Sequence, residues 1–400
     1  DTITADIAAF LRQRIGEAVV VRERRAGTAN VAAWEALRQG DLHHEQAMSM
    51  TGAGDDSGAV PLLMSADSLY AVASALDPRW SVPHLGRARV AQAFAEQLAD
   101  SRPAAAVREA LGKPLPRHPR FDDEWMRAGL AETEQALRLD TTNPEAHELR
   151  GSLRYVWWLQ GYSIAPESLS ASEQDFRTAV AEAPSMARAW ARLSRLLRYT
   201  GRFAEAEAAA KRALDADAFL LEARPVYRTL LFTALNLERY DEARSWCAQG
   251  LARFPTDAEF RHCELRILGW SGRGRAAIQQ AWRLVDSLEA DPAAQRSGQY
   301  PAERRLLLST MYARSGDADS AHILLDRAHE AVGQDSTATW FFFAESNVRL
   351  LLGERHRALD LIARALAASP QLRDYVSRAV WFTSLHGDPT FRRLVGTSLN

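Results

Sequence analysis

Five alanines, Ala206, Ala243, Ala277, Ala321 and Ala358, recur at intervals of 37, 34, 44 and 37 residues, each closing a short turn. A period of this size constrains the chain more than its composition does. Each repeat is one supersecondary piece that cannot bury its apolar face alone, so it must stack on its neighbours. The turns read "TGRFAEA", "LERYDEA", "SGRGRAA", "SGDADSA" and "LGERHRA". Gly201, Gly272, Gly316 and Gly353 suit helix C-termini, because glycine enters the left-handed backbone region without steric cost. Four and seven residues after each alanine stand Ala210 and Ala213, Cys247 and Gly250, Ala281 and Leu284, Leu325 and Ala328, Ile362 and Ala365. Small residues at that spacing let two helices approach closely.

Eroded copies lie upstream. "SADSLYAVASALDP" holds Ala66, Tyr70, Ala73 and Pro78 in the same slots, "SEQDFRTAVAEAP" holds Phe176, Ala179 and Pro184, and "AETEQALRLDTTNPEAHELRG" crosses a boundary with Ala136 and Gly151. The pattern resembles the tetratricopeptide repeat, most specifically over residues 190–255 and 302–370. That resemblance implies an all-α right-handed superhelix of about eight helix pairs plus capping helices. The pairs are expected at 31–78, 81–141, 144–184, 187–218, 221–255, 258–292, 302–335 and 338–370. Domain organisation follows as a lead-in at 1–30, divergent pairs with insertions at 31–184, a regular array at 187–370 and a C-terminal cap at 371–400. Glu345 and Arg349 depart from the family's Leu and Tyr, so the last first-helix is expected to be shifted or unusually exposed.

Three insertions, "HHEQAMSMTGAGDDSG", "DSRPAAAVREALGKPLPRHPRFD" and "GYSIAPESLSA", read as loops from their glycine, proline and serine. Before the first pair, Ile7, Leu11 and Ile15 form a helical stripe, and Thr28 and Asn30 can cap a helix starting near Val31. Phe10, Leu11 and Val19–Val21 have no partner in any repeat, so they are expected to cover the first repeat or to meet another chain. "DIAAFLRQRI" with "ERRAGTANVAAWEALRQG" resembles the junction where a bacterial TolB-like or eukaryotic-type kinase module precedes such repeats. This implies the C-terminal sensor or scaffold part of something longer. The chain begins at Asp1, which leaves the compartment open: bacterial, and cytoplasmic or extracytoplasmic after loss of an N-terminal segment.

Composition excludes more than it assigns. Across 400 residues the formal charge is −2, so no global basic excess points to nucleic acid. No apolar run suggests a membrane span. Cys247 and Cys263 make neither a disulfide framework nor a metal spacing, and are expected as buried thiols. "TGAGDDSG" lacks the strand and the Lys-Ser/Thr of a phosphate loop, and His43 and His44 have no third ligand in view. No catalytic signature occurs. The expectation is a non-enzymatic chain with no cofactor and no metal.

What remains is binding. In the family, set slots of each first helix face the groove, which implies that Arg188, Arg195, Arg198 and Tyr199, then His262, Arg266 and Trp270, then Arg314, line it. Guanidiniums among aromatic rings suit carboxylates or an acidic peptide or partner protein. Their alternative is a solvated face paired with neighbouring acids. Trp157, Trp158, Trp340 and Phe343 stand in the densest aromatic runs, and adjacent residues on a helix cannot all face one core. They are expected either to pack against loops and the next repeat or to form hydrophobic contacts with another chain. The competing functional class is a self-assembling subunit, a homo-oligomer or end-to-end filament of solenoids.

Overall fold

The computed structural model describes residues 27–52, 55–97, 120–159, 166–217, 223–295, 299–332 and 339–396. They cluster into two compact units, residues 1–192 with 216–220 and residues 193–215 with 221–400. Among the described residues there is no strand. The lead-in stripe, the unpartnered apolar residues before 27 and most of the second insertion lie outside the described residues.

In the first unit, α1 (Val31–Gly52) pairs with α2 (Asp56–Leu76), α3 (Val82–Gln97) with α4 (Arg120–Leu139), and α5 (Pro144–Leu159) with α6 (Pro166–Glu182). The Asn30 side chain accepts from the Ala33 amide at 3.1 Å, which satisfies one orphan donor of α1 as capping requires. The first insertion is not a loop. Helix α1 continues through His43 and His44 to Gly52, because Ala47, Met48 and Met50 pack into the same core as Leu63, Ala66 and Tyr70 of α2. Tyr70 is fully buried in a slot between two glycines. A Cβ at Gly40 or at Gly86 would stand 2.7 Å from its ring, and its hydroxyl donates to Asp41 at 2.9 Å. Glycines on two neighbouring helices thus admit one large ring, and the polar tip is satisfied inside.

Residues 58–76 of α2 are, contrary to expectation, long and apolar enough to cross a membrane by composition, with mean hydropathy 1.4. The stripe Ala59, Leu63, Ala66, Tyr70 and Ala73 is buried against the neighbouring helices, while Val72 and Leu76 on the same helix are exposed.

The division between units falls inside α7 (Ala187–Tyr199). In the second unit α8 (Phe203–Ala216) follows it, and α9 (Ala223–Asn236) pairs with α10 (Tyr240–Arg253). A short α11 (Ala258–Arg261) leads into α12 (Cys263–Ser271), which is followed by α13 (Gly274–Glu289). Then α14 (Gln299–Arg314) pairs with α15 (Ala318–Val332), and α16 (Thr339–Leu351) with α17 (Arg355–Ala368). Ala206, Ala243, Ala321 and Ala358 of the register are fully buried, as are Ala210, Ala213, Ala281, Leu325, Ala328, Ile362 and Ala365, whereas Ala277 is only partly buried at the edge of the core. The expected turn conformation appears at Gly201, Gly316 and Gly353, with φ of 69°, 81° and 79°. Gly272 instead is extended and Gly274 takes the left-handed role.

Two further expectations change. Cys247 on α10 and Cys263 on α12 are joined in a disulfide, with Cα atoms 5.8 Å apart, so they are not free thiols. Glu345 is buried rather than exposed, because Arg349 donates to it twice, at 3.0 and 2.9 Å, and His329 lies 3.1 Å away. Beyond α17, α18 (Arg373–Arg378), a 3-10 turn at Val380–Leu385 and α19 (Pro389–Val395) cover the last pair with Val376, Phe382, Leu385, Phe391 and Val395. An array needs such a cover over its last apolar face.

Candidate functional site

First helices in the second unit stand side by side, α12 against α14 and α14 against α16, joined by apolar side chains with arginine–acid pairs such as Arg266–Glu303 among them. Phe232 of α9 is the centre of this face. The guanidiniums of Arg198, Arg228 and Arg266 lie 5.5, 5.9 and 5.5 Å from its ring centroid, and Arg198 also stands 4.3 Å from the ring of Tyr199. Cation–π contact with one ring holds three positive charges near one another.

Acids neutralise this cluster unevenly. Arg266 is almost wholly buried; it donates to Glu259, and its Nε and Nη2 reach Glu303, the latter at 2.9 Å. Burial opposes the charge on Glu259, yet Arg266, Arg228 and Arg198 outweigh it and hold the carboxyl below its ordinary range. Arg228 reaches Glu259 at 3.2 Å while its side chain remains 45% exposed. Burial by itself would raise the Tyr199 phenol. Arg198, Arg195 and Arg228 overcome that and pull it down to about 8, the mark of a strongly positive local field.

The remaining predicted residues are placed otherwise. Arg188 belongs to the first unit, where its Nε donates to Glu148 at 2.8 Å, and that fully buried carboxylate also lies 3.9 Å from Arg192. His262 is buried, stacked on Tyr300 at 4.0 Å; its Nδ1 hydrogen-bonds the Ala258 carbonyl and its Nε2 accepts from Arg304 at 3.3 Å. Arg314 spends a donor on the carbonyls of Gly269 and Gly272, at 3.0 and 3.3 Å. Trp270 lies under Trp381, centroids 4.5 Å apart. His262 and Arg266 are thus buried, Arg195, Arg198 and Tyr199 half-buried, and Arg228 the most exposed of this group.

The aromatic runs are largely consumed by packing. Trp158 is buried and stacks on Tyr155 at 5.9 Å, while Trp157 packs beside Met126 and Leu153. Phe343 is buried 6.2 Å from Phe382, and Trp340 stands edge-on to Phe341 at 5.6 Å.

Arg228 and Phe232 escaped the sequence reading. Their pair has Glu238 in the turn where the other four quoted turns have glycine, so it lacks the glycine that marks where a first helix ends and its groove slots begin. An open depression of about 650 Å³ near Arg239, Asp241, Glu242 and Arg244 is lined by charges that already pair, Arg244 with Asp241 at 2.7 Å and Arg239 with Glu242 at 3.6 Å. Among the described residues no three His, Cys, Asp or Glu side chains converge as a metal site.

A tetratricopeptide-repeat family model matches residues 187–219, the span of α7 and α8. No curated protein matches the sequence. Among solved structures, the chain is similar to PilW, described as a widely conserved type IV pilus biogenesis factor, at 18% identity over 64% of this chain and 96% of that one, TM-score 0.42. It is similar to human IFIT1, solved as a dimer with m7Gppp-AAAA, at 15% identity over 97% and 90%, TM-score 0.42. Yeast Tom70 is similar at 13% identity over 97% and 99%, TM-score 0.33. The match identifies one tetratricopeptide repeat, on α7 and α8, in a chain whose described residues form an all-helical series of helix pairs.

Proposed function

We propose that this repeat scaffold is non-enzymatic and holds an acidic peptide, or an acidic segment of a partner protein, on the first-helix face of its second unit. Arg195, Arg198 and Arg228 supply charge-assisted hydrogen bonds to carboxylates, and Tyr199 and Phe232 supply an apolar floor. The observation that carries the reading is the gathering of three guanidiniums around Phe232, beside the Arg198-stacked ring of Tyr199. Each charged hydrogen bond to a ligand contributes about 1.5–3 kcal/mol when it is shielded from water.

The test is anisotropy of a fluorescein-labelled oligo-glutamate peptide with the full chain. Replacing Arg195, Arg198 and Arg228 together by Ala is expected to weaken binding by about a hundredfold or more, a loss of about 3 kcal/mol or more on that scale. Wild-type binding should also weaken as salt is raised through the screening range. Tight binding that survives the triple substitution would move the site away from this face.

A further inference from the structure

The C-terminal segment does more than cover the last pair. Helix α18 turns two faces in two directions. Val376 and Ala379 join the core formed with Leu361, Ile362 and Phe382, at the end of the array. Tyr375 and Arg378, also three residues apart, reach back to the first pair of the second unit. Arg378 Nη1 donates to the Thr200 carbonyl at 2.7 Å, across 178 residues of sequence. That carbonyl lies at the C-terminal end of α7, where helix carbonyls lack intrahelical partners and the dipole favours a cation. The Tyr375 ring meets Phe203 edge-on at 6.1 Å, and its phenol sits among Arg198, Tyr199 and Asn236, where burial raises its pKa. Six residues beyond Tyr375, Trp381 lies on Trp270. Arg378 thus touches the C-terminal end of α7, Tyr375 those of α7 and α9, and Trp381 that of α12.

We propose that residues 373–381 form an intramolecular strap that closes over the Arg198–Tyr199 end of the first-helix face and must lift before a ligand can occupy that end fully. The claim about an acidic ligand rests on the function proposed above; the claim of closure does not. Three features favour a strap that opens. Arg378 is exposed and is tied to α7 by a hydrogen bond to one carbonyl. Val376 and Ala379 lie wholly inside the core that anchors the segment to α17, whereas Tyr375 only borders it, so release of Tyr375 and Arg378 leaves the buried part of that core in place. Closure depends on a glycine: a Cβ at Gly201 would stand 2.8 Å from the Arg378 Cβ and 3.2 Å from the Asp374 carbonyl.

The test reads access to Tyr199 without any ligand. Nitration of the full chain by tetranitromethane, which attacks phenolates, is followed by mass spectrometry of the peptide holding Tyr199. Two variants open the strap from opposite sides. Tyr375→Ala with Arg378→Ala removes its grip, and Gly201→Asn tolerates the left-handed turn while pushing the strap away. Both are expected to nitrate Tyr199 about tenfold faster than wild type, and to bind oligo-glutamate tighter by a similar factor, as removal of a competing closed state requires. Faster nitration in both variants with no oligo-glutamate binding in any form upholds the strap and sinks the acidic ligand. Unchanged nitration in both, at unchanged helicity, overturns the strap.

Discussion

At the scale of single residues, the described part of the second unit holds one position where backbone and side chain disagree. Glu238 fills the turn that glycine fills in other pairs and carries φ of 56°, which costs an L-residue about 1–2 kcal/mol. Its side chain is exposed. Glu238→Gly is therefore expected to raise stability by about 0.5–1 kcal/mol, less than the full relief because glycine is freer when unfolded. A lower urea midpoint for the variant would count against that account. Arg266 is the opposite case. Arg266→Met leaves Glu259 and Glu303 facing each other with little water, and a loss of about 3–5 kcal/mol is expected, against less than about 1 kcal/mol for the exposed Arg228→Ala. Urea unfolding of the two variants side by side decides it, and equal losses would reject the buried network. The sequence marked Arg266 as chemically important but could not tell a groove arginine from a sealed one. Glu259, seven residues earlier, and Glu303, 37 residues later, decide the difference.

Elements bring constraints that single positions do not show. The Cys247–Cys263 bridge fastens α10, the second helix of one pair, to α12, the first helix of the next, across a sequence separation of 16. Closing a loop of that length removes enough unfolded-state freedom to stabilise by about 3 kcal/mol. Cys247→Ala with Cys263→Ala, or reduction by dithiothreitol, is expected to lower the unfolding free energy by about 2–4 kcal/mol. An unchanged urea midpoint after confirmed reduction would show that the bridge adds nothing. Spacing alone hid this pair, because the two residues come from different repeats and meet only once α10 and α12 stack. The first insertion was misread for a related reason. Its glycines and acids mark a turn, but Met48 and Met50 find apolar partners on α2, and that packing extends the helix to Gly52.

For the whole molecule, far-UV circular dichroism should be that of a helical protein, and a substantial strand component would reject the repeat architecture. Acid should weaken it in two stages. His262 is held below its ordinary value near 6.5, chiefly by burial, with Arg266 and Arg304 acting the same way and the Ala258 carbonyl and Glu303 opposing. A depressed pKa contributes stability that is present above about 6.5 and lost as pH falls through the folded value. At Asp175, Glu259 and Glu354 burial opposes ionisation, and neighbouring hydrogen-bond partners and guanidiniums outweigh it: His147, Arg150 and Arg154 at the first, Arg266, Arg228 and Arg198 at the second. His322, Arg349 and Arg357 do so at the third, pulling it down to about 2. Their contribution is present above the ordinary carboxylate range and disappears toward pH 2. The melting temperature is expected to be level above about pH 7, to begin falling below about 6.5 and to fall further below about 4.5. His262→Gln should flatten the upper stage alone. A melting temperature that stays level from pH 7 to 5 in wild type would contradict the role given to His262.

What the sequence by itself determined is the repeat: helical period, small residues at the contact positions and turn signals are all local. Each copy states the same instruction, so the eight pairs and the register of five alanines could be read without coordinates. Tertiary structure decided which charges are sealed and which remain open, because burial is set by neighbours a repeat or more away. The same holds for Tyr375, Arg378 and Trp381. Nothing in "QLRDYVSRAVWF" names Thr200 or Trp270 as its contacts, since a surface built from separated helix ends has no counterpart in linear spacing.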